Sequence, residues 1–230
     1  MKLRDLEQLD ARMQGRLVVS CQPVDHGPLD DHDTVIRLAQ AAVVGGAGAV
    51  RIEGADRVAL VSQQISVPII GIIKRELPDS PVRITPFLED VAALIQAGAD
   101  IVAVDATARI RPASVADLLA AIHQGGAYSM ADCSCYEDAL AAHALGFDII
   151  GTTMSGYTGG TVPDEPDFAL IRRLQAVVPR IMAEGRFNTP QQAQEAKHLG
   201  AWAVTVGTAI TRTELVTEWF ASALDKADRG

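Results

Sequence analysis

Eight short apolar runs, each followed by a segment of helical periodicity, constrain this chain more than any other feature. The runs are RLVVSCQ (16–22), AVRIEG (49–54), PIIGIIK (68–74), IVAVDAT (101–107), YSMADCS (128–134), DIIGTTM (148–154), RIMAEGR (180–186) and AVTVGTA (203–209). Their Val- and Ile-rich, nearly continuous apolar character is that of strands buried on both faces. Between them apolar residues recur at helical spacing, as at Val91, Leu94 and Ile95, or Leu118, Leu119 and Ile122. Four helical segments close on glycine, in VVGGAGA (43–49), IQAGAD (95–100), HALGFD (143–148) and KHLGAW (197–202), where a left-handed turn ends a helix. Such strands joined by helical crossovers require a parallel sheet covered on both sides. In 230 residues they predict an α/β fold, a single (β/α)8 TIM barrel over 1–230 with no linker or second domain.

A doubly wound open sheet is the competing topology. The polar residues that close the runs favour the barrel: Gln22, Arg51, Lys74, Asp105, Asp132, Thr153, Glu184 and Thr208. A closed barrel gathers all of these carboxyl-terminal ends on the face where active sites of this fold lie.

Charge and targeting signals narrow the partners. The net charge is −9 and the basic residues are scattered, which argues against nucleic acid or an anionic membrane as partner. The opening MKLRDLEQLDARMQGRL is charged and amphipathic, unlike a secretory signal, and no window approaches the ~18 apolar residues of a membrane span. Three cysteines do not make a disulfide framework. Cys133 and Cys135 are expected to alternate along one strand as buried thiols rather than to bind metal. The cytoplasm is the expected compartment.

Lys74 stands out, because an ammonium at the mouth of a buried strand loses hydration. It is either one half of a structural ion pair with Glu53, Asp105 or Glu184, or a catalytic base. As a base near neutral pH it needs its pKa lowered from ~10.4 by about 3 units, or ~4 kcal/mol. Burial and a second cation, with Arg51 a candidate, push that way. Glu184 is then a candidate acid/base partner across the same barrel mouth. Asp105 and Asp132 read as strand-end acids with the same two roles open. The segments AEGRFNTP and VGTAITRT place glycines before helix starts after strands seven and eight, where barrels bind phosphate; Gly207, Thr208 and Arg212 fit that location. His26 and His32 among Asp25, Asp30, Asp31 and Asp33 read as a solvated loop rather than a metal site.

In order along nearly the whole chain, VVSCQP, VRIEG, PIIGIIKRE, ITPF, AVDATARIRP, MADCS, GTTMSGYTGG, AEGRFNTP and VGTAITR resemble the N-acylmannosamine-6-phosphate 2-epimerases. The resemblance implies inversion at C2 of N-acetylmannosamine 6-phosphate to N-acetylglucosamine 6-phosphate, in amino-sugar (sialic acid) catabolism, with no metal or organic cofactor. It also implies Lys74 and Glu184 as the catalytic pair. Gln22, Arg51, Asp132 and Tyr157 would line the sugar, Arg51 and Gln22 also serving as donors to developing oxyanion charge. Gly185, Arg186, Gly207, Thr208 and Arg212 would lie toward the phosphate. Departures are Glu76-Leu77 after the Lys-Arg pair, Phe87 for a small polar residue, Thr213 for a proline, and an acidic first loop. Competing readings are another phosphosugar isomerase, a Schiff-base aldolase, and a non-catalytic sugar-phosphate-binding barrel. Leu215, Val216, Trp219, Phe220 and Leu224 give the last helix a broad apolar surface, either docked on the barrel or the contact of a homodimer.

Overall fold

The computed structural model describes residues 5–227. In chain order the elements are α1 (Leu6–Met13), β1 (Leu17–Ser20), α2 (His32–Val44), β2 (Ala49–Glu53), α3 (Ala55–Ser62), β3 (Ile69–Ile72), α4 (Leu88–Gln96), β4 (Ile101–Asp105) and α5 (Val115–Gln124). They continue as β5 (Tyr128–Asp132), α6 (Tyr136–Leu145), β6 (Ile149–Gly151), α7 (Phe168–Leu174), β7 (Ile181–Glu184), α8 (Pro190–His198), β8 (Ala203–Val206), α9 (Thr208–Thr211) and α10 (Thr213–Ala227). The strands pair in sequence order, every pair parallel, and β8 closes on β1: the barrel rather than the open sheet.

Alternation along each strand separates two apolar layers. Val19, Val50, Ile52, Val102, Val104, Ala131 and Ile150 face outward onto the helices. Val18, Ala49, Ile70, Ile72, Ile101, Ala103, Met130, Ile149, Met182 and Ala203 fill the interior, which α1 closes from below with Leu9 and Met13. Asp5 caps α1, its carboxylate accepting from the amides of Glu7 and Gln8. One step up each strand the inward position turns polar: Ser20 above Val18, Arg51 above Ala49, Asp105 above Ala103, Asp132 above Met130, Glu184 above Met182, Thr205 above Ala203. A polar storey therefore rests on an apolar floor, and that storey is the base of the site.

The glycine endings behave as the sequence predicts, with Gly46, Gly98, Gly146 and Gly200 at φ of 98°, 98°, 99° and 100°. The strands themselves are shorter than the apolar runs. Gln22, Lys74 and Thr153 lie past the ends of their strands, and Thr208 opens α9. Cys133 and Cys135 do not share a strand either: β5 stops at Asp132, Cys133 packs under the helices, and Cys135 is the N-cap of α6. Phe87 takes the N-cap of α4 and supplies no side-chain cap. The acidic first loop is largely solvated, as expected, with Asp25, His26, Asp31, His32 and Asp33 exposed; Asp30 pairs with Arg57 at 2.6 Å, and Asp31 caps α2, which His32 and Asp33 open. No helix among the described residues is long and apolar enough to cross a membrane. On α10, Leu215 and Val216 are half-buried, but Trp219, Phe220 and Leu224 are 41, 71 and 70% exposed, so most of its apolar surface is not docked on the barrel.

Candidate active site

A cavity of about 290 Å³ opens at the carboxyl ends of the strands. Gln22, Arg51, Lys74, Tyr157, Glu184, Gly185, Arg186, Gly207, Thr208 and Arg212 all line it. Asp132 does not. It is wholly buried within the floor, where both its oxygens are spent on Arg51 and Thr153.

That floor is an ion cluster. Arg51 donates through Nη2 to Asp132 at 2.6 Å, and through Nη1 to Asp132 at 3.2 Å and to Glu184 at 2.8 Å. Thr153 adds a 2.6 Å bond to Asp132. The guanidinium is 1% exposed. A charge in such a place is tolerable only with its counter-ions in contact, and Arg51 meets two. Burial opposes its charge, but Asp132 and Glu184 outweigh burial and keep it cationic. Both terminal nitrogens are therefore committed, and Arg51 orients Glu184 instead of standing free as an oxyanion donor. Glu184 itself is pushed up to about 6: burial raises it, Arg51 opposes the rise, and the charge of Asp132 adds to it. A carboxyl poised there can hold or release a proton near neutrality. Hydrogen bonds from the Glu184 amide to Thr152 Oγ1 at 3.0 Å and from Thr152 Oγ1 to the Glu184 carbonyl at 2.8 Å fix its backbone.

Lys74 is the opposite case. The three carboxylates the sequence offers as partners are each engaged elsewhere. Glu184 holds Arg51. Asp105 holds Arg109 at 2.5 Å and Arg111 at 3.2 Å. Glu53 lies 3.8 Å from Arg57 and accepts the backbone N–H of Lys74, not its amine, at 3.4 Å. Among the described residues no ion pair or hydrogen bond engages the Lys74 amine. Burial is the largest influence on it and lowers its pKa; Asp25 and Glu53 pull the other way, and Arg212 and Arg51 reinforce the fall. The arginines thus take up the negative charge and leave the lysine as a desolvated amine.

The rim carries the remaining groups. Arg212 donates Nε to the Gln22 carbonyl at 3.0 Å and has no carboxylate partner among the described residues. Gly207 begins α9 without a side-chain cap, and the first amides of a helix have no intrahelical acceptor. A Cβ on Gly207 would stand 3.2 Å from that of Ser20, so the chain passes too close to β1 for a larger residue to fit easily. Gln22 donates to Ser20 Oγ at 2.7 Å. Arg186 spends Nε on the Glu165 carbonyl at 2.7 Å and Nη1 on the Ser155 carbonyl, and its guanidinium lies 5.3 Å over the Tyr157 ring. It ties the β6–α7 loop to the β7–α8 turn.

Sequence reasoning passed over Ser20, Ile72, Ile84, Phe187, Asn188 and Thr205, which also line the cavity. For Ser20, Ile72 and Thr205 the signal was present: each sits two residues from an interior or strand-end residue on the same face. Ile84 left no such trace, because a fold-back of the chain brings it to the mouth. No group of His, Cys, Asp and Glu suited to a metal ion occurs among the described residues.

The chain as a whole is similar to known proteins. A family model described as "Putative N-acetylmannosamine-6-phosphate epimerase" matches residues 35–226. A Klebsiella pneumoniae protein named "Putative N-acetylmannosamine-6-phosphate 2-epimerase" is 58% identical over 224 residues, 96% of this chain and 96% of its own. A Haemophilus influenzae protein of the same name is 51% identical over 221 residues, covering 96% of this chain and 97% of that one. The solved structure of the N-acetylmannosamine-6-phosphate 2-epimerase from Clostridium perfringens superposes with a TM-score of 0.90 at 39% identity, over 94% of this chain and 96% of that one. With its barrel and nearly its whole length matched in this way, the chain belongs to the N-acetylmannosamine-6-phosphate epimerase family.

Proposed function

We propose that this protein inverts C2 of N-acetylmannosamine 6-phosphate to give N-acetylglucosamine 6-phosphate, with Lys74 and Glu184 moving the proton. The observation that carries this reading is the pairing, in one cavity, of a half-buried amine with no counter-ion among the described residues and a carboxyl raised to about 6. In the open-chain sugar the C2 hydrogen lies beside the aldehyde, so a base can remove it and leave an enolate. Neutral Lys74 takes that proton. Glu184, protonated, returns one to the opposite face or assists ring opening, held at its angle by Arg51. The reverse reaction uses the same two groups in the other protonation states. Asp132 supports Arg51 from within the floor.

Arg212 and the amides that open α9 are placed for a dianionic phosphate, with Gly207, Thr208, Gly185 and Arg186 shaping that end. Gln22 and Tyr157 then flank the sugar. Remote binding at the phosphate orients the reacting carbon. A homodimer also fits the molecule. The exposed Trp219, Phe220 and Leu224 of α10 give a second copy an apolar surface to cover, and an open groove lined by Leu17, Ala193, Ala201 and Val204 flanks β8. Light scattering giving the mass of one chain at micromolar concentration would refute the dimer. Three free cysteines suit the reducing cytoplasm, where we place the protein.

The decisive experiment is proton NMR of N-acetylmannosamine 6-phosphate with the enzyme in deuterated water. Product formation with deuterium entering at C2 is expected. Epimerisation that keeps the original hydrogen at C2 under all conditions would rule out proton abstraction.

A further inference from the structure

The connection between β3 and α4 folds back on itself over the barrel mouth. Lys74 and Ile84 form an antiparallel bridge. Alongside it, the Arg75 amide donates to the Arg83 carbonyl at 2.9 Å and the Thr85 amide to the Ile73 carbonyl at 2.7 Å. Two more bonds lock the return: Thr85 Oγ1 accepts from the Ile73 amide at 3.2 Å, and the Ile84 carbonyl accepts from the Asp105 amide at 3.1 Å. Thr85 reaches its position at φ 47° while wholly buried, a left-handed conformation that β-branched residues avoid. Such strain persists only where the surroundings over-determine it, and it clusters at functional sites.

What the fold-back achieves is the placement of Ile84. Side chains paired across an antiparallel bridge project to the same side as close neighbours. Ile72 lies two residues before Lys74, on the inward face of β3. Both isoleucines line the cavity and pack with the apolar barrel interior. The lysine stem therefore emerges between them. We infer that Ile84 is a positioning residue, forming with Ile72 an apolar collar that limits water at the Lys74 amine and so disfavours its ammonium form.

The inference rests on Lys74 being the base proposed above. The charged groups around Lys74 are Asp25 on the first loop and Glu53 ending β2, which favour its ammonium, and Arg51 on β2 and Arg212 after α9, which disfavour it. Glu184 shares the cavity from β7. The lost hydration, which no acceptor among the described residues replaces, is the largest of these influences and sets the direction.

The test compares Ile84→Val with Ile84→Thr, two side chains of one shape in which a hydroxyl replaces a methyl. In protein labelled with ¹³C-lysine, the chain's four lysines give four Cε resonances to follow against pH, and Lys74→Met identifies the one that matters. The Thr variant is expected to titrate at Lys74 at least about half a pH unit above the Val variant, a roughly threefold gain in proton affinity. The acid limb of its kcat/KM profile should move up by the same interval, the two enzymes converging at higher pH. Equal Lys74 titrations in the two variants would overturn the collar. The titration is read on resting protein without substrate, so it holds whatever reaction the enzyme performs. A raised Lys74 titration with an unmoved acid limb would instead remove Lys74 as the base and leave the collar standing.

Discussion

Removing Arg51 is the sharpest test of the floor beneath the site. Arg51→Met keeps much of the length and apolar stem but deletes the only cation in contact with Asp132 and Glu184 among the described residues. Asp132 would keep its bond from Thr153 and lose both from the guanidinium. Breaking a buried, hydrogen-bonded ion pair from one side costs about 3–5 kcal/mol. At about 2–4 °C per kcal/mol for a chain of this length, the Tm should fall by roughly 6–20 °C. The loss must also depend on pH. Glu184 already titrates at about 6, above its ordinary value, with Arg51 holding it down. Without Arg51 it moves higher still. A carboxyl whose folded pKa is raised contributes stability below its unfolded pKa, near 4.5, and loses it as pH climbs through the folded pKa. The deficit of Arg51→Met should therefore widen from pH 4.5 to pH 8, by about 1.4 kcal/mol for every tenfold by which the variant tightens the proton on Glu184. Adding Asp132→Asn removes the stranded charge and should recover most of the Tm. Differential scanning calorimetry of wild type, single and double variant across that range measures all of this. A single variant that melts within about 3 °C of wild type, with a deficit flat in pH, would show that the cluster is not the buried network described here.

Lys74→Met should fold as well as wild type or better, since it deletes a desolvated amine with no partner among the described residues, while kcat falls about 10³-fold or more, at the upper end of general-base effects. Near-normal turnover in the folded variant would sink the mechanism. Glu184→Gln should gain up to about 2 kcal/mol of stability at pH 8 and little at pH 4, because the cost of ionising a carboxyl raised to about 6 disappears; equal changes in Tm at both pH values would refute it. The unphosphorylated sugar should lose kcat/KM by at least ~100-fold, about 2.7 kcal/mol, and Arg212→Ala should reduce the preference for the phosphate. Comparable rates on both sugars would remove the phosphate end from the rim of α9.

The barrel was legible because its signals are local. Alternation along each run, helical spacing between runs and glycines at helix ends each depend on a few neighbouring residues. The same locality put Lys74 and Glu184 at strand ends of one face. It also misled at the edges, where RLVVSCQ and YSMADCS run past the last residue that has a neighbour to pair with.

Which charge answers which is another matter. Arg51 meets Asp132 and Glu184 across 81 and 133 residues of chain, whereas from the sequence Glu184 was as available to Lys74 as Glu53 or Asp105. Only the closed barrel brings the three to contact, spends Asp105 on Arg109 and Arg111, and so leaves the lysine amine without a counter-ion among the described residues. Ile84 reaches Lys74 through a fold-back that no periodicity announces. The exposure of Trp219 and Phe220 could not be read from an amphipathic pattern that suits docking and pairing alike. The sequence by itself determined the fold and the face on which chemistry sits, because periodicity is a property of adjacent residues. The tertiary structure decided protonation, because desolvation and ion pairing depend on distances between residues far apart in the chain.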